Sequence, residues 1–257
     1  MLEKDAPVIK VTPQADGKYE NAKDGKTEYW YKEIPAIAYE VTDQKDQTNG
    51  SGLAARTVTV NGDELASKTK NFVESITSSD QIVQEDSLTL SASDLQDVQE
   101  GENTVVTTYT DIAGNETIDT KTICLDTHKP DVTRFNIEKK DASKILNILT
   151  FGNYGNGVIK VTVTADDLHI DDGSEVPSAG LNEITLYVGE EAYQTKAVGS
   201  DNTAVFELPA ETVLNEQKVY LDKKISATVT DNVGNQSEKT LVTTANSNVK
   251  NSNLMIE

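Results

Sequence analysis

The chain has a single cysteine, Cys124, in 257 residues. No intrachain disulfide can form, so the fold must stand on packing and hydrogen bonds alone. Cys124 sits in the alternating stretch Thr122-Ile123-Cys124-Leu125 and is expected as a buried small hydrophobe rather than a reactive thiol. So few cysteines suit an exported Gram-positive protein and a cytosolic one equally. Histidine is almost as scarce, with His128 and His169 the only two. Neither shows a zinc spacing or a Ser/Cys–His neighbourhood, and Gly-x-Ser-x-Gly is absent, so no catalytic set is predicted. The glycine-rich stretch Gly152-Asn153-Tyr154-Gly155-Asn156-Gly157 lacks the lysine and following helix of a phosphate-binding loop and reads as a turn. No apolar run approaches the ~20 residues of a spanning helix, so no membrane insertion is expected. Basic residues number 23 against 43 acidic, a net charge of −20. Nucleic acid and anionic membrane surfaces would repel such a chain. The acidic excess suits solubility, and it also suits divalent cations as partners. The start, Met1-Leu2-Glu3-Lys4-Asp5, is charged and carries no apolar leader region. The expectation is therefore a piece of a longer, exported chain.

What the chain does have is a repetition. Thr110-Asp111-Ile112-Ala113-Gly114-Asn115 recurs as Thr230-Asp231-Asn232-Val233-Gly234-Asn235, each after a Thr-rich alternating run. A period of about 120 residues is too long for a solenoid and suits a small two-sheet domain. Thr, Val and Ile favour pleated, half-buried strands. Strands are predicted at Val8–Thr12, Tyr29–Val41 (Ile37, Tyr39 and Val41 on one face), Arg56–Val60, Leu88–Leu90, Thr104–Thr110 and Thr117–Leu125. The second half repeats the order with Val132–Ile137, Gly157–Ala165, Glu183–Val188, Ala204–Leu208, Lys224–Thr230 and Lys239–Thr244. Asn61-Gly62 is a strong hairpin signal, because both positions tolerate positive φ. Helix signals are few: Ser93-Asp94-Leu95-Gln96 and Glu211–Leu214 each suit one turn, and Lys144–Leu149 reads as strand or turn. The boundary is placed at Asp126-Thr127-His128-Lys129-Pro130, short and proline-bearing. The predicted fold class is all-β, two tandem antiparallel β-sandwiches at residues 5–127 and 128–246 joined by a short linker. Residues 247–257 form a tail or the start of a following segment.

The Asp-x-x-Gly-Asn elements (Asp111, Gly114, Asn115 and Asp231, Gly234, Asn235) carry a family resemblance. Pro7-Val8-Ile9, Pro130-Asp131-Val132, Ser51-Gly52-Leu53 and Ala179-Gly180-Leu181 add to it. Together they resemble the bacterial immunoglobulin-like (Big-type) domains that occur in tandem in cell-surface proteins. The resemblance implies immunoglobulin-like sandwiches, an extracellular location on a cell surface or in secreted form, and a non-catalytic role as spacer or adhesin stalk. It implies flanking domains of the same chain and host or cell-surface glycans or proteins as partners. Such surface domains sometimes carry Lys–Asn isopeptide crosslinks; Lys10 is the candidate lysine here, but no acid with apolar flanks accompanies it. Each copy is longer than a minimal immunoglobulin sandwich. The extra residues fall in Phe72–Glu85 and Asp166–Ser178, where an individual binding property would reside.

The repeated motif has a structural explanation. Gly and Asn adopt left-handed φ cheaply, and Asp accepts hydrogen bonds from the N–H groups a reversal exposes. A sharper reading makes the acids Ca²⁺ ligands. Asp43, Asp111, Asp126, Asp166, Asp167 and Asp231 fall in loops or strand ends, and Asp46, Asp171 and Asp172 lie near them. Ca²⁺ gathers six to eight oxygens from such loops. No segment reproduces an EF-hand loop, and solvated Asp clusters are common. Ca²⁺ is the one cofactor this reading admits. Tyr29, Trp30 and Tyr31 could stack on a glycan if exposed, or pack in the core. A carbohydrate-binding accessory module of a secreted polysaccharide-degrading enzyme is therefore the alternative to a spacer.

Overall fold

The computed structural model of the chain describes residues 4–12, 18–23, 25–45, 48–74, 78, 82–139, 158–209, 225–243 and 245–248. It divides into two compact units, Met1–Thr127 and His128–Glu257. The segments Lys144–Leu149, Glu211–Leu214 and Gly152–Gly157, and most of the tail, lie outside the described residues. Among the described residues there is no helix, and the fold is all-β.

Unit 1 contains β1 (Val8–Thr12), β2 (Lys18–Lys23), β3 (Lys26–Tyr31), β4 (Ile37–Thr42), β5 (Gln44–Lys45), β6 (Thr48–Asn49), β7 (Leu53–Val60), β8 (Asp63–Glu64), β9 (Lys70–Asn71), β10 (Glu85–Leu90), β11 (Gly101–Asp111) and β12 (Glu116–Leu125). A three-stranded sheet, β1-β4-β10, packs on a seven-stranded one ordered β2-β3-β12-β11-β7-β8, with β9 also paired to β7. All pairs are antiparallel except β12 with β3, where Cys124 and Leu125 run parallel to Trp30 and Tyr31. The period-2 pattern sets the faces. Ile37, Tyr39 and Val41 point inward from β4, and Val105, Thr107, Tyr109 and Asp111 from β11. They meet Leu53, Val58, Leu88, Leu90, Ile123 and Leu125 in one core.

The predicted long segment Tyr29–Val41 is instead two strands in different sheets. The break covers residues 32–36 and contains Pro35, which has no N–H to give a ladder. Asn61 and Gly62 take φ of 52° and 94° in the tight turn between β7 and β8. The expected turn near Asp94 is present. Asp94 closes it: the Ser91 N–H and hydroxyl both donate to Asp94 Oδ2, at 2.8 and 2.6 Å, and the Asp94 N–H donates to the Ser91 carbonyl at 2.9 Å.

Unit 2 contains β13 (Asp131–Lys139), β14 (Val158–Asp166), β15 (His169–Asp171), β16 (Ser174–Val176), β17 (Leu181–Val188), β18 (Glu191–Ala197), β19 (Thr203–Pro209), β20 (Ile225–Asp231) and β21 (Thr240–Leu241). The sheets are β13-β14-β19 and β18-β17-β20-β21. Among the described residues the order is the same as in unit 1; residues 140–157, between β13 and β14, lie outside them. The core is more apolar, with Phe135, Ile137, Val161, Val163, Ile184, Leu186, Phe206 and Leu208 at its centre. Of the predicted strand Lys239–Thr244, Thr240–Leu241 form a strand and Val242 N donates to Ile225 O at 3.0 Å, while Thr244 lies outside the described residues. The chain then turns at Thr243, whose N–H donates to Asn246 Oδ1 at 2.7 Å. Ser247 runs parallel beside Phe135 on the outer edge of β13.

The edges of the smaller sheets are closed by side chains. Lys68 Nζ donates to the Thr89 carbonyl at 3.3 Å, on the outer edge of β10. In unit 2, Lys196 Nζ donates to Val205 O at 2.5 Å and the Tyr193 hydroxyl to Glu207 O at 2.9 Å, on the outer edge of β19. Leu88 pairs with Tyr39, and Ala204 pairs with Val163, the residue at the matching place. Thr89 and Val205 are therefore equivalent positions, each capped by a lysine. Unsatisfied edge carbonyls are templates for unwanted pairing, and an ammonium placed on them blocks it.

Candidate functional site

The repeated motif closes the connection after β11 in unit 1 and after β20 in unit 2, with two side-chain hydrogen bonds in common and a third in unit 2. In unit 1, Asp111 Oδ1 accepts from Asn115 N and Oδ2 from Asn115 Nδ2, both at 2.7 Å. In unit 2, Asp231 Oδ1 accepts from Asn235 N at 2.8 Å and Val233 N at 2.9 Å, and Oδ2 accepts from Asn235 Nδ2 at 2.7 Å. Gly114 and Gly234 sit at φ of 89° and 90°, where an L side chain is strained. Asp111 and Asp231 are buried, at 1% and 0% exposure. These carboxylates are tied into the reversal.

Each reversal is bolted to a second loop. Ile112 N donates to Gly52 O at 2.8 Å, and Asn232 N to Gly180 O at 2.9 Å. The N–H groups of the same two glycines reach a third element: Gly52 N donates to Asp43 Oδ2 at 2.6 Å and Gly180 N to Asp167 Oδ2 at 3.0 Å. Gly52 and Gly180 hold φ of 97° and 77°. A Cβ at Gly52 would sit 2.1 Å from the Ile82 methyl. Asp43 and Asp167 are thus equivalent, as are Gly52 and Gly180. The sequence displayed every one of these residues, but their linkage into one lock was missed. The signal was there in the shared Gly-Leu pairs, each at a variable distance from its aspartate.

The six predicted metal residues are distributed as follows. In unit 2, Asp167 and Asp231 bring carboxylate oxygens within 4.8 Å of one another. Two like charges this close, one of them fully buried, are held only by the surrounding N–H donors or by a cation. Asp166 is not part of that pair in its hydrogen bonding; its Oδ1 accepts from Leu168 N at 2.7 Å. In unit 1, Asp43 and Asp111 serve the lock. Asp126, at 2% exposure, lies within 4.8 Å of Glu100, an acid the sequence reading had not chosen. Glu100 also accepts from the Thr127 N–H at 3.1 Å and from the Thr127 hydroxyl.

The aromatic cluster is built into unit 1. Trp30 is 4% exposed, and its Nε1 donates to Glu28 Oε2 at 3.1 Å. Tyr31 packs against the core from the opposite face of β3, and Tyr29 is half-buried. In this arrangement Trp30 offers a sugar no ring face. Cys124, opposite Trp30, is buried, and desolvation, with Glu28 and Glu102 nearby, pushes its thiol up to about 11. Lys10 forms an exposed 3.0 Å ion pair with Glu40, with side chains 75% and 66% exposed. The two histidines stack in unit 2 with ring centroids 3.4 Å apart. Parallel rings at that spacing cannot aim both nitrogens at one metal.

Unit 1 also holds a polar network between its sheets. Arg56 Nη1 lies 2.5 Å from Asp86 Oδ2, and the Tyr109 hydroxyl donates to the same oxygen at 2.8 Å. Unit 2 has Ile184 and Val229 where unit 1 has Arg56 and Tyr109, as the strand registers show. The network therefore replaces apolar packing and is structural in kind. A groove of about 570 Å³ on the β1-β4-β10 sheet is lined by Val8, Lys10, Glu40, Thr42, Glu85 and Ser87, among others, and assembles no catalytic pairing.

No family model matches the chain, and no curated protein matches it. Several solved structures resemble it. The fibronectin(III)-like modules of Clostridium thermocellum CbhA are 10% identical over 91% of this chain and 92% of theirs, with a TM-score of 0.32. A 1.5-MDa bacterial ice-binding adhesin is 15% identical over 83% of this chain and 58% of its own, with a TM-score of 0.36. A Ca²⁺-stabilized adhesin of an Antarctic bacterium is 18% identical over 80% of this chain and 42% of its own, with a TM-score of 0.30. The chain spans about half the length of those two adhesin chains.

Proposed function

We propose that the chain is a non-catalytic, load-bearing spacer of an extracellular bacterial protein, built from tandem bacterial immunoglobulin-like units. The observation that carries this reading is how each unit closes. Unit 1 pairs β12, its last strand, in parallel with β3, and unit 2 pairs residue Ser247, beyond its last strand, in parallel with β13. In unit 2 the parallel segments are the first strand and the stretch past the last one, so pulling at the ends slides them along each other and loads their hydrogen bonds together. In unit 1 β3 follows β1 and β2, so its parallel pair with β12 takes the load once those two strands are drawn away. The locked reversals support the same reading, because the acids best buried for chemistry are occupied as scaffold.

Force spectroscopy on the full chain tests it. Two separate extension events are expected, each releasing on the order of 400 Å of chain at ~3.3–3.6 Å per residue. Pulling from the tips of the β7–β8 turn and the β1 end instead should lower the rupture force of unit 1. Equal forces in the two geometries would refute the load-bearing role.

Ca²⁺ is proposed as the stiffening ion of unit 2, held by Asp167 and Asp231. Its support is the approach of those two carboxylates. A melt of unit 2 that is unchanged between millimolar Ca²⁺ and chelator would remove the ion from the proposal without touching the spacer role.

A further inference from the structure

We infer that Asn61 is a self-modification site: its side-chain amide is lost to attack by the Gly62 nitrogen when the β7–β8 turn opens, and Asn103 is the latch that prevents this in the folded unit. The chemistry needs only the chain and water. The Gly62 backbone nitrogen bonds to Asn61 Cγ and gives up its proton. The Cγ–Nδ2 bond breaks, and ammonia leaves carrying that proton. Water then opens the cyclic imide at either carbonyl, which leaves aspartate or its isomer with the main chain routed through Cγ. Glycine favours this step because it has no Cβ to hinder the nitrogen. Asn61 is exposed, and among the described residues a Cβ at Gly62 would meet nothing within 4 Å.

The folded turn holds the carboxamide away from that attack. Asn61 N donates to Thr104 O at 2.8 Å, and Asn61 Oδ1 accepts from Thr104 N at 2.9 Å, so the side chain stands in for a peptide carbonyl in the β7–β11 ladder. Its Nδ2 donates to Asn103 Oδ1 at 2.9 Å. Both ends of the carboxamide are drawn toward β11, while Gly62 carries the chain the other way, to β8 on the far side of β7. Attack requires the carboxamide to rotate, and rotation breaks both bonds. Asn103 does not follow. It is 1% exposed, its Oδ1 also accepts from Gln99 N at 2.9 Å, and its Nδ2 donates to the Gln99 and Gly101 carbonyls at 2.6 and 3.0 Å. The same fixed orientation makes the change one-way. An aspartate at this position offers a second acceptor to Asn103 Oδ1, which has no proton to give it. The matching turn of unit 2, Gly189-Glu190 between β17 and β18, carries no asparagine.

The test uses the full chain, incubated at neutral pH and then cleaved after Arg56 and Lys68. The released peptide Thr57–Lys68 has Asn61 as its only asparagine, and mass spectrometry reads its conversion from amide to acid. Native wild type should convert about a hundredfold more slowly than the same chain in urea, about tenfold for each bond to the carboxamide. Asn103→Ala, shown folded by Trp30 fluorescence, should convert about tenfold faster than native wild type. Asp111→Ala weakens unit 1 at the other end of β11 and should leave the native rate unchanged, because local opening and not global unfolding admits the reaction. The Thr104 amide should be protected from exchange in wild type. That readout needs no variant and keeps the test decisive should Asn103→Ala not fold. Conversion as fast in the native chain as in urea would overturn the inference. So would an unprotected Thr104 amide, a folded Asn103→Ala no faster than wild type, or equal acceleration by Asn103→Ala and Asp111→Ala.

Discussion

Replacing the buried aspartate of each reversal by alanine separates scaffold from chemistry. In unit 2, Asp231→Ala removes the acceptor of three hydrogen bonds, at 2.9, 2.8 and 2.7 Å, from a side chain with 0% exposure. Bonds to a charged acceptor contribute about 1.5–3 kcal/mol each, and an orphaned buried donor costs about 1–3 kcal/mol. Water can reach the half-buried Val233 N–H, which returns part of the loss. The net for unit 2 is about 4 kcal/mol. Asp111→Ala removes two such bonds in unit 1, and Asn115 is only half-buried, so the net there is about 3 kcal/mol. The chain's single tryptophan supplies the assay. Trp30 is buried in unit 1, so its fluorescence reads that unit, while far-ultraviolet circular dichroism reads both. With a urea slope of about 2 kcal/mol/M, Asp111→Ala should lower the fluorescence midpoint by about 1.5 M. Asp231→Ala should act on the part of the dichroism transition that fluorescence does not see. Midpoints within about 0.3 M of wild type for both variants would refute the reasoning, because the carboxylates would then be holding nothing.

Trp30→Ala should destabilise unit 1 by about 3–5 kcal/mol in the same urea assay, and glycan-array signals should not depend on Trp30, since its ring is covered. Cys124, with its thiol pushed up to about 11 by burial, should react slowly with a chromogenic disulfide near neutral pH and rapidly once the chain is unfolded in guanidinium. Asp94 is held down to about 2, first by the Ser91 hydroxyl and then by the Ser91 N–H and Lys68. Its folded value lies below its unfolded one, so its contribution is complete above about pH 4 and is lost as pH falls toward 2. Carbon-detected titration of the Asp94 carboxyl should show that midpoint, and Ser91→Ala should return it toward the ordinary aspartate value.

The strand sequence was readable because its information is local. Val8–Thr12 and the inward faces of β4 and β11 follow from alternation alone, and Asn61-Gly62 follows from φ. The split of Tyr29–Val41 was written in Pro35 but outweighed by the β-rich residues on either side. β18 (Glu191–Ala197) escaped because an edge strand exposed over most of its length shows no alternation of polarity. The Asp-x-x-Gly-Asn reversals were legible in their own bonds, since every donor lies within four residues of its aspartate. Their fastening to Gly52 and Gly180, and from there to Asp43 and Asp167, joins residues far apart in sequence. The loops between them differ in length in the two units, so no single period reveals them. Burial of Trp30 was equally hidden, because alternation tells which way a ring points and not what lies over it.

The lysines on Thr89 and Val205 have a consequence for any chain assembled from like parts. Modules strung on one polypeptide never diffuse away from one another; the tether keeps them at an effective concentration that reaches the millimolar range for short links. Related sequences emerging one after another from the ribosome are the case in which a half-formed module can capture its neighbour's strands. A charged tether on the exposed rim raises the cost of that mistake for each module separately, so the array can grow longer without its members becoming each other's aggregation seeds.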